Sequence, residues 1–152
     1  MQRNAKTDWD AVWDSAASGK VLDIPADVRI RCYNQLKRIE KDLMEPKPRP
    51  NITVRVFWGV SGSGKTHHAI QLLGDAYYDK LPTTKFWDGY RQESNVLIDE
   101  FRGEIGISHL LKWCDKYKCT VETKGGGTPL AASNIIITSN LHPRDWWKDL
   151  DE

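Results

Sequence analysis

The residues with the clearest chemical potential are Gly59, Val60, Ser61, Gly62, Ser63, Gly64, Lys65 and Thr66. A glycine, four residues, then Gly-Lys-Thr is the Walker A pattern of a phosphate-binding loop. Glycines clear side chains away so that successive backbone N–H groups can curl around phosphate oxygens. A helix starting at the loop points the positive end of its dipole at the same anion. In this pattern Lys65 reaches the β- and γ-phosphates and the Thr66 hydroxyl ligates Mg²⁺, so the expected ligands are ATP and Mg²⁺.

Such a loop needs a carboxylate for the metal and a group to orient the attacking water. Val96-Leu97-Ile98-Asp99-Glu100 supplies both at the end of an apolar run. Asp99 is expected to hold Mg²⁺, and Glu100 to orient and polarise water, because phosphoryl transfer depends mainly on positioning and charge neutralisation. Ile135-Ile136-Ile137-Thr138-Ser139-Asn140 ends in polar groups. The Asn140 amide could bond both the γ-phosphate and the water, or cap a helix starting near His142-Pro143. Intervals of 40 and 41 positions separate Gly59, Asp99 and Asn140, which lets the three strand ends be neighbours.

A different chemistry is suggested between Lys112 and Lys124. Lys112, Lys116, Lys118 and Lys124 outnumber Asp115 and Glu122 there, in a chain whose formal net charge is +1. Lys124, with Gly125 and Gly126 beside it, opens a glycine turn between two strands and could follow a phosphate backbone without reading bases. Ordinary surface lysines would look the same, and Trp113 and Tyr117 read as core. His67 and His68 are adjacent on a helix and diverge by about 100°, which is poor geometry for a metal. Cys32, Cys114 and Cys119 form no Cys-x-x-Cys group, so neither zinc nor a disulfide framework is expected.

The elements that position these groups can be read from periodicity and breakers. Pro46, Pro48 and Pro50 disfavour helix and mark a linker over 46–51. Before it, the sequence predicts a helix from Asp8 to Ser18 closed by Gly19, and another from Pro25 to Met44 with Cys32, Leu36, Ile39 and Leu43 on one face. Two short helices have little core of their own, so packing on a further domain or on neighbouring subunits is expected. After the linker, strands are predicted at 52–58, 95–99, 120–123 and 134–138, with helices at 65–73 and 107–117, the second capped by Ser108. That alternation implies an α/β fold with a mainly parallel sheet covered on both faces. A hydrophobic fraction of 39% with 28% charged residues fits a soluble domain, and no apolar run could cross a bilayer, so no membrane partner is expected.

Gly59–Thr66, Val96–Phe101, Thr120-Val-Glu-Thr-Lys-Gly-Gly126 and Ile137-Thr-Ser-Asn140, in this order, resemble the superfamily 3 helicase domain of replication initiator proteins from circular single-stranded-DNA viruses of the circovirus and nanovirus kind. Trp87-Asp88-Gly89-Tyr90 and the leader 23–31 are also similar. The resemblance covers most of 52–147. It implies an AAA+-type ATPase that forms a hexameric ring around single-stranded DNA, moves 3′ to 5′ and works in the host nucleus. It further implies that 59–66 is Walker A, Asp99 and Glu100 Walker B, Asn140 the motif C sensor and Lys124 the DNA-contacting hairpin tip. Residues 1–45 would then be an oligomerisation segment and 52–152 the ATPase domain. That domain is expected to stop short of a basic segment carrying the arginine finger, for which Arg144 is the nearest substitute. Without a His-x-His motif, DNA nicking is not expected. A nucleotide-dependent assembly and single-strand-binding module with little turnover is the alternative, and a small-molecule kinase the third reading.

Overall fold

Asp8 starts the first helix by accepting a hydrogen bond from the Ala11 N–H, and α1 runs Trp9–Ala17. The computed structural model describes residues 6–147. The chain divides into two compact units, one up to residue 45 and one from residue 46. The last residues of the expected ATPase domain, 148–152, lie outside the described residues.

In the first unit a 3₁₀ turn, Val21–Asp23, leads to α2, Ala26–Leu43. Pro25 is the residue before α2 rather than its first turn, with ψ at 140°. The helix departs from regular geometry at Cys32. Val12, Ala16, Val21, Ile24, Val28 and Leu36 form the unit's own buried cluster, with Cys32 and Ile39 against it. The expected stripe therefore starts a turn earlier, at Val28, and Leu43 at its end is 46% exposed.

The second unit is built on β1 Thr53–Trp58, α3 Lys65–Leu73, β2 Tyr78–Lys80, β3 Asn95–Ile98, α4 Ile107–Trp113, β4 Thr120–Thr123, β5 Gly126–Pro129 and β6 Asn134–Ser139. Four of these strands make one sheet in the order β1-β6-β3-β2, every neighbouring pair parallel. Side chains alternate across it. Val96, Ile98, Ile135 and Ile137 enter the main core with Trp87, Phe101, Leu110 and Trp113. Leu97 and Ile136 face Ala69 and Leu73 of α3 on the other side. The expected parallel sheet, covered on both faces, is borne out.

Several local expectations are corrected. β4 does not join the main sheet but pairs antiparallel with β5, whose Gly126-Gly127-Thr128-Pro129 reads as a turn by composition. β2, three residues long, was not foreseen. Helix α4 is preceded by Gly106, not capped by Ser108, and stops at Trp113 rather than Tyr117. The early stop follows from Arg49, whose buried guanidinium donates to the terminal carbonyls of Lys112 (3.3 Å) and Trp113 (2.8 Å), and to Ala132 O (3.1 Å). The Arg49 N–H also donates to Lys116 O at 2.6 Å, so the proline-rich segment is pinned to this unit at Arg49. Tyr117, expected in the core, is 65% exposed as a result.

Candidate functional site

The order β1-β6-β3 brings the carboxyl ends of the glycine-loop strand, the Asn140 strand and the acidic strand side by side. Open parallel sheets bind ligands at this end. Register confirms the alignment: Trp58 lies beside Ser139, and Ile98 beside Ile137. The loop after β1 enters α3 through Gly64, whose φ of 83° is left-handed and suits a residue without Cβ.

A cleft of ≈ 340 Å³ opens here, lined by Ser61, Gly62, Gly64, Lys65, Thr66, His67, Glu100, Thr138 and Asn140. That volume is within the usual range of small-ligand sites. The Lys65 ammonium lies in the loop, donating to Gly59 O (3.1 Å), Val60 O (2.7 Å) and Ser63 Oγ (3.2 Å). Thr66 Oγ1 donates to Asp99 Oδ1 at 2.7 Å, which ties the loop helix to the acidic strand. Every residue expected at the nucleotide site thus lines this cleft or bonds directly to a residue that does.

Thr138, which the sequence alone gives no role, joins the two acidic residues. Its hydroxyl donates to Asp99 Oδ1 at 2.5 Å and accepts the Glu100 N–H at 2.9 Å. One hydroxyl therefore sets both acidic residues. Glu100 has a φ of 55°, left-handed for a residue with a Cβ. Ser139 works one position further on, donating to Phe101 O at 2.6 Å and accepting the Trp146 indole N–H at 2.9 Å. His67 lines the cleft from the first turn of α3. Asp79 on β2 lies in the field of Asp99: partial burial first, then that charge, raises its carboxyl above the usual range. The signal for Thr138 was its place just before the strand end. Asp79 had none, because β2 was not seen.

The oxygen donors Thr66 and Asp99 are hard ligands of the kind Mg²⁺ takes, and their 2.7 Å approach shows that both reach one point. The residues present therefore fit the expected cation.

Lys124, Gly125 and Gly126 are elsewhere, at the tip of the β4–β5 hairpin, and all three are exposed. Gly125 has a φ of 88°, which lets Thr123 pair directly with Gly126 across a two-residue turn. Lys112, Lys116 and Lys118 stand at the opposite end of β4, so the basic residues do not form one cluster at the tip.

A parallel sheet, a glycine loop running from β1 into α3 and an acidic pair just after β3, two strands away, define an α/β fold with the arrangement of a phosphate-binding-loop protein. Residues 55–141 match the family model described as RNA helicase, and the chain belongs to that family. It is 44% identical over 95 residues to the replication-associated protein of Porcine circovirus 2, covering 62% of this chain and 30% of that protein. It is 39% identical over 113 residues to the replication-associated protein of Goose circovirus, covering 74% and 38%. With that of Human associated cyclovirus 1 it is 38% identical over 120 residues, covering 74% and 42%. The chain thus spans well under half of the length of these curated relatives. The resemblance to the helicase domain of viral replication initiators, read from the motifs, is borne out.

Proposed function

We propose that this chain is the ATP-hydrolysing motor domain of a viral rolling-circle replication initiator, acting on single-stranded DNA. The observation that carries this reading is the junction of Thr66, Asp99, Thr138 and Glu100 in one hydrogen-bonded group beside the glycine loop. Backbone N–H groups of 61–64 and the amino end of α3 receive the phosphates, and Lys65 neutralises their charge. Thr66 and Asp99 hold Mg²⁺, which when bound draws charge from the phosphate oxygens. Glu100 takes the proton of the attacking water and Asn140 orients it. The Lys124 tip follows the nucleic-acid backbone, its exposed ammonium neutralising phosphate charge. Assembly as a hexameric ring through residues 1–45, 3′ to 5′ movement and action in the host nucleus belong to the same proposal.

The test combines three variants with wild type. Glu100→Gln is expected to bind ATP normally and to lose at least about a hundredfold in turnover, while Lys65→Ala loses hydrolysis as well. Lys124→Ala is expected to weaken single-stranded DNA binding and to flatten its salt dependence with ATP affinity kept. Full turnover in Glu100→Gln would remove it as the base. Wild-type turnover that is negligible and indifferent to DNA would favour a nucleotide-dependent binding module. A preference for single-stranded RNA over DNA would overturn the assignment of substrate.

A further inference from the structure

The segment 85–93 touches the hairpin at both strands and at its tip. The Trp87 N–H donates to Glu122 O at 2.8 Å, and Lys85 Nζ pairs with Glu122 Oε2 at 3.0 Å, so β4 is held along its outer edge. Gln92 Nε2 donates to Thr128 Oγ1 (3.1 Å) and Pro129 O (2.7 Å), which holds β5. Asp88 Oδ1 accepts the Lys124 N–H at 2.8 Å. The β4–β5 pairing ends at Thr123 and Gly126. Lys124 lies beyond it, and Asp88 rather than a strand neighbour accepts its amide N–H.

The segment is itself fixed. Trp87 is fully buried, stacked on Tyr78 (ring centroids 5.4 Å apart) and edge-on to Tyr90 and Trp113 (5.2 Å each). The Tyr78 hydroxyl donates to Asp88 O at 2.7 Å, and the Tyr90 hydroxyl donates to Glu93 O at 2.8 Å and accepts the Ala131 N–H at 3.0 Å. A rigid aromatic base thus carries three separate attachments to a hairpin that pairs only with itself.

We propose that residues 85–93 are a clamp that holds the Lys124 hairpin in its binding pose, with Asp88 the positioning residue for the tip. This rests on the reading of the hairpin as the nucleic-acid contact. The base of the hairpin is seated in the core through Val121, with Leu130 just beyond it, but the tip is exposed, and an unheld tip spreads Lys124 over many orientations. Binding would then have to order the tip each time, at a cost in affinity. Asp88 is an acid beside a lysine read as phosphate-seeking, and it also lies in the field of the buried Lys80 ammonium, so its charge and its acceptor oxygen have to be separated by experiment.

The test uses the full chain with Asp88→Ala, Asp88→Asn and Lys124→Ala. Affinity for a fluorescent oligo-dT strand is measured with ATP affinity, melting temperature and hydrogen exchange at the Lys124 amide. Both Asp88 substitutions remove the same negative charge, but Asn keeps an acceptor oxygen, so their difference isolates the hydrogen bond. Asp88→Ala is expected to weaken strand binding by about fivefold and to speed Lys124 amide exchange by a similar factor. Asp88→Asn is expected to restore most of both, with ATP affinity and melting temperature unchanged throughout. Amide exchange that stays slow in Asp88→Ala overturns the clamp. Wild-type or tighter strand binding by Asp88→Ala, while Lys124→Ala is weak, also overturns it, as does an Asn variant no better than Ala. If Lys124→Ala itself binds normally, the hairpin reading fails, and the exchange rate alone then decides the clamp.

Discussion

Glu100 shows at one residue how a site can cost stability. Its left-handed φ of 55° is a conformation that a side chain with a Cβ resists, by about 1 kcal/mol. Glu100→Gly is therefore expected to raise stability by up to about 1 kcal/mol in chemical denaturation while abolishing turnover. A loss of stability would show that φ at this position is not strained. Thr138 makes a second prediction. Thr138→Val keeps the shape and removes the hydroxyl that meets both Asp99 and Glu100. Turnover is expected to fall by about tenfold or more, with ATP affinity changed less, because alignment of the acids is lost rather than the phosphate loop. Lys80 gives a third, through pH. It is fully buried, its ammonium donating to Leu81 O (2.7 Å) and Thr84 O and lying 5.3 Å from the Trp113 ring centre. Burial lowers its pKa from 10.5 to about 8, against a smaller opposing pull from Asp88. Between those values the unfolded chain binds a proton that the folded chain has released, so stability rises with pH across this window. Burial also raises the Cys114 thiol from 9.0 to about 11 and the Cys119 thiol upward, which opposes this trend from about pH 9, and it raises Tyr78 and Tyr90 from 10.0 to about 12, which opposes it further above about pH 10. The stability of wild type relative to Lys80→Met is therefore expected to rise from pH 8 to about 9.5 by on the order of 1–3 kcal/mol, read as the difference between their pH profiles in chemical denaturation.

At the scale of elements, what could be read in advance was what the chain encodes locally. The glycine loop, α3 from Lys65 to Leu73 and the apolar cores of β3 and β6 are set by neighbours in sequence, and their spacing already allowed the three strand ends to meet. Each miss depends on a partner outside the segment itself. β2 is short and acquires its state from pairing with β3, and β5 is Gly-Gly-Thr-Pro, a turn by composition until β4 lies beside it. Tyr117 reads as core only if α4 continues, and α4 ends where Arg49, more than 60 residues earlier, takes its carbonyls. That contact is itself testable. Arg49→Ala leaves buried helix-end carbonyls without a donor and is expected to cost about 2–3 kcal/mol of stability in the second unit. Lysine at 49 should rescue it only in part, because one ammonium cannot reproduce the planar fork that reaches Lys112, Trp113 and Ala132. An alanine variant as stable as wild type would mean that water replaces the guanidinium at no cost.

At the scale of the whole molecule, the two units bury very different amounts. The second has apolar clusters on both faces of its sheet, including Trp87, Phe101, Ile135 and Ile137 on one and Leu97 and Ile136 on the other. The first closes over six residues, and among its large apolar side chains Trp9, Trp13, Leu22, Ile30 and Tyr33 are each more than half exposed. A unit with so small a core and so much exposed aromatic and aliphatic surface gains more than the second by association. Removing residues 1–45 is therefore expected to leave a folded, ATP-binding second unit with nearly unchanged melting temperature. The same deletion should lower the particle mass measured by sedimentation with ATP and a short DNA strand. Multiplicity of contact along a strand should fall with it, so DNA affinity drops although each chain keeps its Lys124. If the shortened chain still assembles to the full mass, the exposed face of the first unit is not what joins the copies, and the joining surface belongs to residues 46–152.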